Sequence, residues 1–163
     1  MAAAKGSRTV GIGMDYSPTS KVAVRWAVDN LVSAGDHVVL IHVLSKSDHH
    51  TAKQLWEEHG SPLIPLDEFE DMNLTVRYGI SPDGEILDIL HAASKTKGVE
   101  VTAKIYWGDP REKICDAVED LKLDSLVVGS RGLGAIKRVL LGSVSNYVVV
   151  HANCPVTVVK SNA

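Results

Sequence analysis

Leu126-Val127-Val128-Gly129-Ser130-Arg131-Gly132-Leu133-Gly134 holds the strongest structural signal in the chain. Three aliphatic residues in succession suit a strand buried on both faces, as in a parallel sheet. The run stops at Gly129, and a glycine-rich turn follows. Beyond Ala135 to Leu141, Gly142-Ser143 opens a helix expected to run to about His151. Buried strand, glycine turn and helix form the repeating unit of an α/β protein.

The same alternation extends in both directions. Pro155-Val-Thr-Val-Val159 reads as a final strand, and Asp109-Pro-Arg-Glu112, with Asp as cap and Pro at the first helical position, starts a helix to Leu121. Val99, Val101, Ala103 and Ile105 alternate with Glu100, Thr102, Lys104 and Tyr106, which predicts a half-exposed strand at a sheet edge. Ser81-Pro82 is expected to open the helix before it. Val10 to Met14 forms a first strand, Ser17-Pro18 starts a helix, and His37 to Leu44 is a second buried strand. The order β-α-β-α-β-α-β-α-β predicts an open five-stranded parallel sheet with helices on both faces. The arrangement is Rossmann-like, with strand order 3-2-1-4-5. The order reverses between the first and fourth strands, where open α/β sheets bind ligands. A site is therefore expected just after Met14 and just after Val128.

Residues 45–81 interrupt the rhythm with Ser47-Asp-His-His50, Ser61-Pro62 and Pro65. This stretch is too long for a bare connection, so it is read as an insertion or lid within a single domain over residues 1–163. Its Trp56, Leu63, Ile64, Leu66 and Phe69 form a candidate exposed apolar surface.

Composition narrows the function classes. Of 163 residues, 45% are hydrophobic and 23% charged, and the net charge is −3, so no basic field exists to collect nucleic acid. No apolar run approaches the ~20 residues of a membrane span. The start of the chain lacks a signal-peptide pattern, and two cysteines, Cys115 and Cys154, are too few to staple the fold, so a reducing cytoplasmic setting is expected. The seven histidines show no metal-ligand spacing: His49-His50 and His59 read as solvated loop, and His42 as a hydrogen-bonded core residue. A Gly-x-Ser-x-Gly nucleophile elbow is missing.

The glycine segment points to an anion. Glycines let backbone amides approach closely, and a helix start at Ser143 offers free amides to a phosphate. Arg131, Lys137 and Arg138 add positive charge. Gly129 and Gly134 have P-loop spacing, but Ala135-Ile136 stands where Lys and Ser/Thr are needed. Gly11-Ile-Gly13 lacks the third glycine of a dinucleotide fingerprint. Spacing alone leaves a plain surface turn open as the alternative.

Gly129-x2-Gly132-x9-Gly142-Ser143, with Met14-Asp15-Tyr-Ser17, Ile41-His-Val43 and His151-Ala-Asn-Cys-Pro-Val-Thr-Val-Val159, resembles the nucleotide-binding signature of the universal stress protein family. The details look most like its single-domain plant members. The resemblance implies an adenine-nucleotide (ATP or AMP) binding stress-response protein, with Mg²⁺ held through the phosphates and no metal ligand from side chains. Carried across, Asp15 meets the ribose or base, with Gly13, Met14 and Ser17 beside it. Val43 meets adenine through its backbone. Gly129, Arg131 and Gly132 line ribose and phosphates, and Gly142, Ser143, Val144 and Ser145 hold the phosphates. Further implied roles are a nucleotide-dependent regulator or protector, a holdase, or at most a slow ATPase in which Asp15 is the only nearby carboxylate; no catalytic residue is assigned.

The last strand, Val156, Thr157, Val158 and Val159, lies at a sheet edge that nothing later in the chain covers. Unpaired edges are usually managed, so homodimerisation through this strand is expected.

Overall fold

The computed structural model describes residues 7–15, 18–44, 59–70, 83–130 and 142–160. Strands β1 (Thr9–Gly13), β2 (His37–Leu44), β3 (Ile64–Pro65), β4 (Glu100–Trp107), β5 (Ser125–Gly129) and β6 (Val156–Val159) form one sheet in the order β3-β4-β2-β1-β5-β6. Helices α1 (Pro18–Asn30), α2 (Gly84–Lys97), α3 (Pro110–Leu121) and α4 (Ser143–His151) cover it, and a short 3-10 helix spans Leu66–Glu70.

The doubly wound α/β class and the relative order of the five expected strands hold. The sheet has six strands rather than five, because Ile64–Pro65 from the expected insertion adds an antiparallel edge beside β4. This contact also corrects the reading of β4 as a half-exposed edge. The alternation misled because Thr102 and Tyr106 are buried and Lys104 half-buried, each with a partner, while Glu100 is exposed. Thr102 lies 2.8 Å from His37 Nε2, and Tyr106 donates to Asp120 at 3.1 Å while Lys104 sits over its ring at 5.3 Å. Ser61 extends the ladder on the β3 side: its amide donates to the Ile105 carbonyl at 2.8 Å, and its hydroxyl accepts the Ile105 amide at 2.9 Å.

Alternation within the strands builds two cores. Val10, Ile12, Val38, Leu40, Val101 and Ala103 point to the α1/α2 face and meet Ala23, Val24, Ile86 and Leu90. Val39, Ile41, Tyr106, Leu126 and Val128 point to the α3/α4 face and meet Ile114, Val118 and Val148. Ile64 and Leu66 belong to the first core and are buried, so they do not form the exposed apolar surface expected of the insertion; Leu63 is exposed, and Trp56 lies outside the described residues.

Helix boundaries follow local chemistry. Asp109 caps α3, accepting the Arg111 amide at 2.9 Å, with Pro110 at the first position. Helix α2 begins at Gly84 rather than at Ser81-Pro82: Asp83 is its extended cap, accepting the Glu85 and Ile86 amides at 3.0 and 3.3 Å. Gly98 ends α2 in the left-handed region (φ 68) that favours glycine. Ser17, expected to cap α1, and Ser81-Pro82 lie outside the described residues.

Candidate functional site

The chain leaves β1 for β2 on one side and returns from β4 to β5 on the other. The order therefore reverses between β1 and β5, and the segments at their carboxyl ends diverge there.

The β1 wall is built on Met14. Its amide donates to the Ile41 carbonyl at 2.8 Å, its carbonyl lies 2.7 Å from His42 Nδ1, and its sulfur accepts the Ser20 hydroxyl at 3.3 Å. Asp15, the next residue, is exposed. Gly13 ends β1 on the α3 side, where an added Cβ would lie 3.2 Å from Val128 and 3.7 Å from Ile114. Val43 is half-buried against the α3/α4 core. Because the Ile41 carbonyl faces β1, the period of two turns Val43 N–H and C=O the same way, past the end of that strand.

The β5 wall joins the other expected residues. A Cβ on Gly129 would meet the Thr19 carbonyl oxygen at 2.9 Å and its carbonyl carbon at 3.0 Å, so the first turn of α1 rests directly on this glycine. The Ser130 amide donates to the Val159 carbonyl at 2.9 Å, and the Ser130 carbonyl accepts the Gly142 amide at 2.6 Å. The buried Ser145 hydroxyl donates to the Gly129 carbonyl at 2.5 Å. These bonds pin the start of α4 to the end of β5.

Helix α4 starts at Gly142 with no side-chain cap. Its first intrahelical bond runs from Asn146 to the Gly142 carbonyl at 2.9 Å, so the Ser143, Val144 and Ser145 amides make none. This is the positive end of the helix and suits an anion. Ser143 is exposed; Val144 is half-buried in the α3/α4 core. Nearby, hydrogen bonds from Arg111 hold the Asp109 carboxyl below its ordinary range, with the two side chains 2.8 Å apart, and the Arg111 guanidinium lies 5.8 Å from the Tyr147 ring of α4.

The structure thus brings together Met14, Asp15, Gly129, Gly142, Ser143 and Ser145 around the switch point, with Val43 on the next strand. Ser17, Arg131 and Gly132 lie outside the described residues. Sequence reasoning missed three contributors. Thr19 and Ser130 carry no local signal, because their roles depend on distant partners. His42 was placed in the core with a hydrogen bond but was not linked to the site. Among the described residues, no group of three His, Cys, Asp or Glu side chains could hold a metal ion, and no helix is long and apolar enough to cross a membrane.

This geometry defines a doubly wound α/β domain with an anion-receptive helix start at its switch point. The family model described as "Universal stress protein family" matches residues 6–160, and the chain belongs to that family. Among curated proteins it is similar to universal stress protein PHOS32 of Arabidopsis thaliana, with 36% identity over 94% of this chain and 64% of that protein. A universal stress protein A-like protein of the same plant is 32% identical over 90% of this chain and 81% of that protein. The chain spans less than two thirds of PHOS32 and of the related PHOS34, which it matches over 62% of its length. Among solved structures, an Arabidopsis universal stress protein family protein with AMP bound is 27% identical, with a TM-score of 0.59, over 96% of this chain and 93% of that one. The hypothetical protein MJ0577 is 26% identical, with a TM-score of 0.67, over 97% and 99%.

Proposed function

We propose that this chain is an adenine-nucleotide-binding stress-response protein whose site is the crevice between β1 and β5. The observation that carries this reading is the uncapped start of α4, locked by the Ser145–Gly129 and Gly142–Ser130 bonds to β5, the strand that pairs with β1. The Ser143 to Ser145 amides receive phosphate, and the backbone of Val43 meets the base. The ligand is AMP or ATP, and Mg²⁺ enters with the phosphates. AMP in the Arabidopsis structure supports the ligand class. Regulation by binding is favoured over a holdase role carried by the 45–81 segment, because Ile64 and Leu66 are buried. Hydrolysis is at most slow, and the protein works in the cytoplasm.

Calorimetric titration with AMP and with ATP tests the reading. Micromolar binding is expected, lost in Gly142→Asp/Ser143→Asp, which sets negative charge against phosphate. Undiminished binding by that double variant overturns the site; no binding by the parent protein overturns the ligand.

The same reading makes the protein a homodimer through β6. Pro155 and Val159 carbonyls accept the Leu126 and Ser130 amides of the β5 segment, so alternation leaves the Val156 and Val158 backbone facing outward. Val158→Pro removes an outward donor while sparing the β5 ladder. Sedimentation should show a monomer for that variant and a dimer for the parent; a monomeric parent at micromolar concentration refutes the interface.

A further inference from the structure

We infer that His42 is a positioning residue for the nucleotide site, holding the Met14–Asp15 peptide in its binding orientation; this rests on the functional reading above. The Met14 amide makes the last rung between β1 and β2, to the Ile41 carbonyl at 2.8 Å. β1 ends at Gly13, so the Met14 carbonyl has left the regular ladder. The donor it meets is the His42 ring, with Nδ1 2.7 Å away. A carbonyl oxygen only accepts, so Nδ1 carries the proton.

The consequence reaches the next residue through covalent geometry. The peptide between Met14 and Asp15 is planar and trans, so its C=O and N–H point in opposite directions. Fixing the carbonyl against His42 aims the Asp15 amide away from His42 and sets the direction in which the chain continues to Asp15. Met14 itself has little freedom to drift, because its side chain is buried and its sulfur accepts the Ser20 hydroxyl at 3.3 Å. His42 thus acts on the ligand through a backbone peptide without lining the phosphate subsite.

Two substitutions separate this role from plain packing. In His42→Asn the side-chain amide nitrogen stands where Nδ1 stood and can donate the same bond; in His42→Leu the bulk remains and the donor is gone. AMP affinity is expected to fall about tenfold in the Leu variant, the scale of one lost hydrogen bond, and to stay within about threefold in the Asn variant. The ligand-free readout is the carbon-13 shift of the Met14 carbonyl with the nitrogen-15 shift of the Asp15 amide. Both should move in the Leu variant and stay near the parent values in the Asn variant. Equal affinity losses in the two variants overturn the inference, as does unchanged affinity in the Leu variant. A parent protein that binds no AMP refutes the nucleotide reading instead. The Met14 and Asp15 shifts then decide the positioning role alone, and unmoved shifts in His42→Leu overturn it.

Discussion

Replacing Gly129 by alanine separates two uses of one residue. A phosphate loop needs glycine so that a ligand can approach, whereas the structure shows protein backbone already filling the space. The added Cβ would sit 2.9 Å from the Thr19 carbonyl oxygen, 3.0 Å from its carbonyl carbon and 3.1 Å from its hydroxyl. Real Cβ contacts are not that short with backbone, so the first turn of α1 must move away from β5. Overpacking of this kind costs about 1–3 kcal/mol, and the reduced freedom of the unfolded chain returns about 0.4–1 kcal/mol. A net loss of about 1–2 kcal/mol is expected, which lowers Tm by roughly 2–8 °C in a domain of this size. Gly13→Ala is the internal control: its nearest neighbours are the Val128 and Ile114 side chains at 3.2 and 3.7 Å, which can yield. Its effect should stay within about 1 kcal/mol of zero. Urea unfolding without nucleotide measures both. A Gly129→Ala protein as stable as its parent refutes the packing argument and leaves ligand approach as the reason for the glycine.

Ser145→Ala removes the donor to the Gly129 carbonyl and should cost about 1–3 kcal/mol in ligand-free denaturant unfolding; an unchanged midpoint refutes the structural role of that hydroxyl. Asp36→Asn should cost about 2 kcal/mol in the same assay, because the buried carboxylate pairs with Arg8 at 2.8 Å and accepts the Ser33 amide at 2.8 Å; a loss below about 0.5 kcal/mol refutes the pairing. Burial works against the Asp36 charge, yet its bonds to Arg8 and Ser33 outweigh that and hold its carboxyl below the ordinary range. Its stabilisation is therefore full above the unfolded carboxylate pKa of about 3.9 and is lost as pH falls below it, so the cost of Asp36→Asn should shrink in acid; a cost independent of pH from about 6 down to 3 refutes the assignment.

The sheet order was legible because two buried runs, His37–Leu44 and Leu126–Val128, can only be inner strands, and right-handed crossovers then leave few arrangements. What stayed hidden has the opposite character. Ile64–Pro65 is two residues long and contains a proline, so nothing local distinguishes it from loop, and only its pairing with β4 makes it a strand. Thr102, Lys104 and Tyr106 looked like a wet face because residue type does not reveal that His37, the Tyr106 ring and Asp120 supply their partners. At the site, glycine spacing singled out Gly129 and Gly142, which lie at the end of β5 and the start of α4. It said nothing of Thr19, because contact across the sheet leaves no mark in local sequence.

That difference bears on what a glycine signature means in this fold. Gly11 faces the Leu123 side chain at 2.5 Å from its would-be Cβ, and Gly129 faces the Thr19 backbone. The ends of the Leu123 and Ile41 side chains beside Gly11 can yield, whereas the Thr19 backbone cannot, so Gly129 is required by how closely α1 approaches the sheet, before any ligand arrives. Close approach also brings the first turn of α1, at Thr19, and the start of α4 to the same end of β5. Gly129 therefore shapes the candidate site chiefly by setting the distance between α1 and β5. It follows that lost nucleotide binding in a Gly129 variant would not by itself show contact with ligand, since fold and site fail together. Charge placed at Ser143, or a donor exchanged at His42, perturbs the site while leaving the packing of α1 on β5 intact, and those substitutions carry the functional argument.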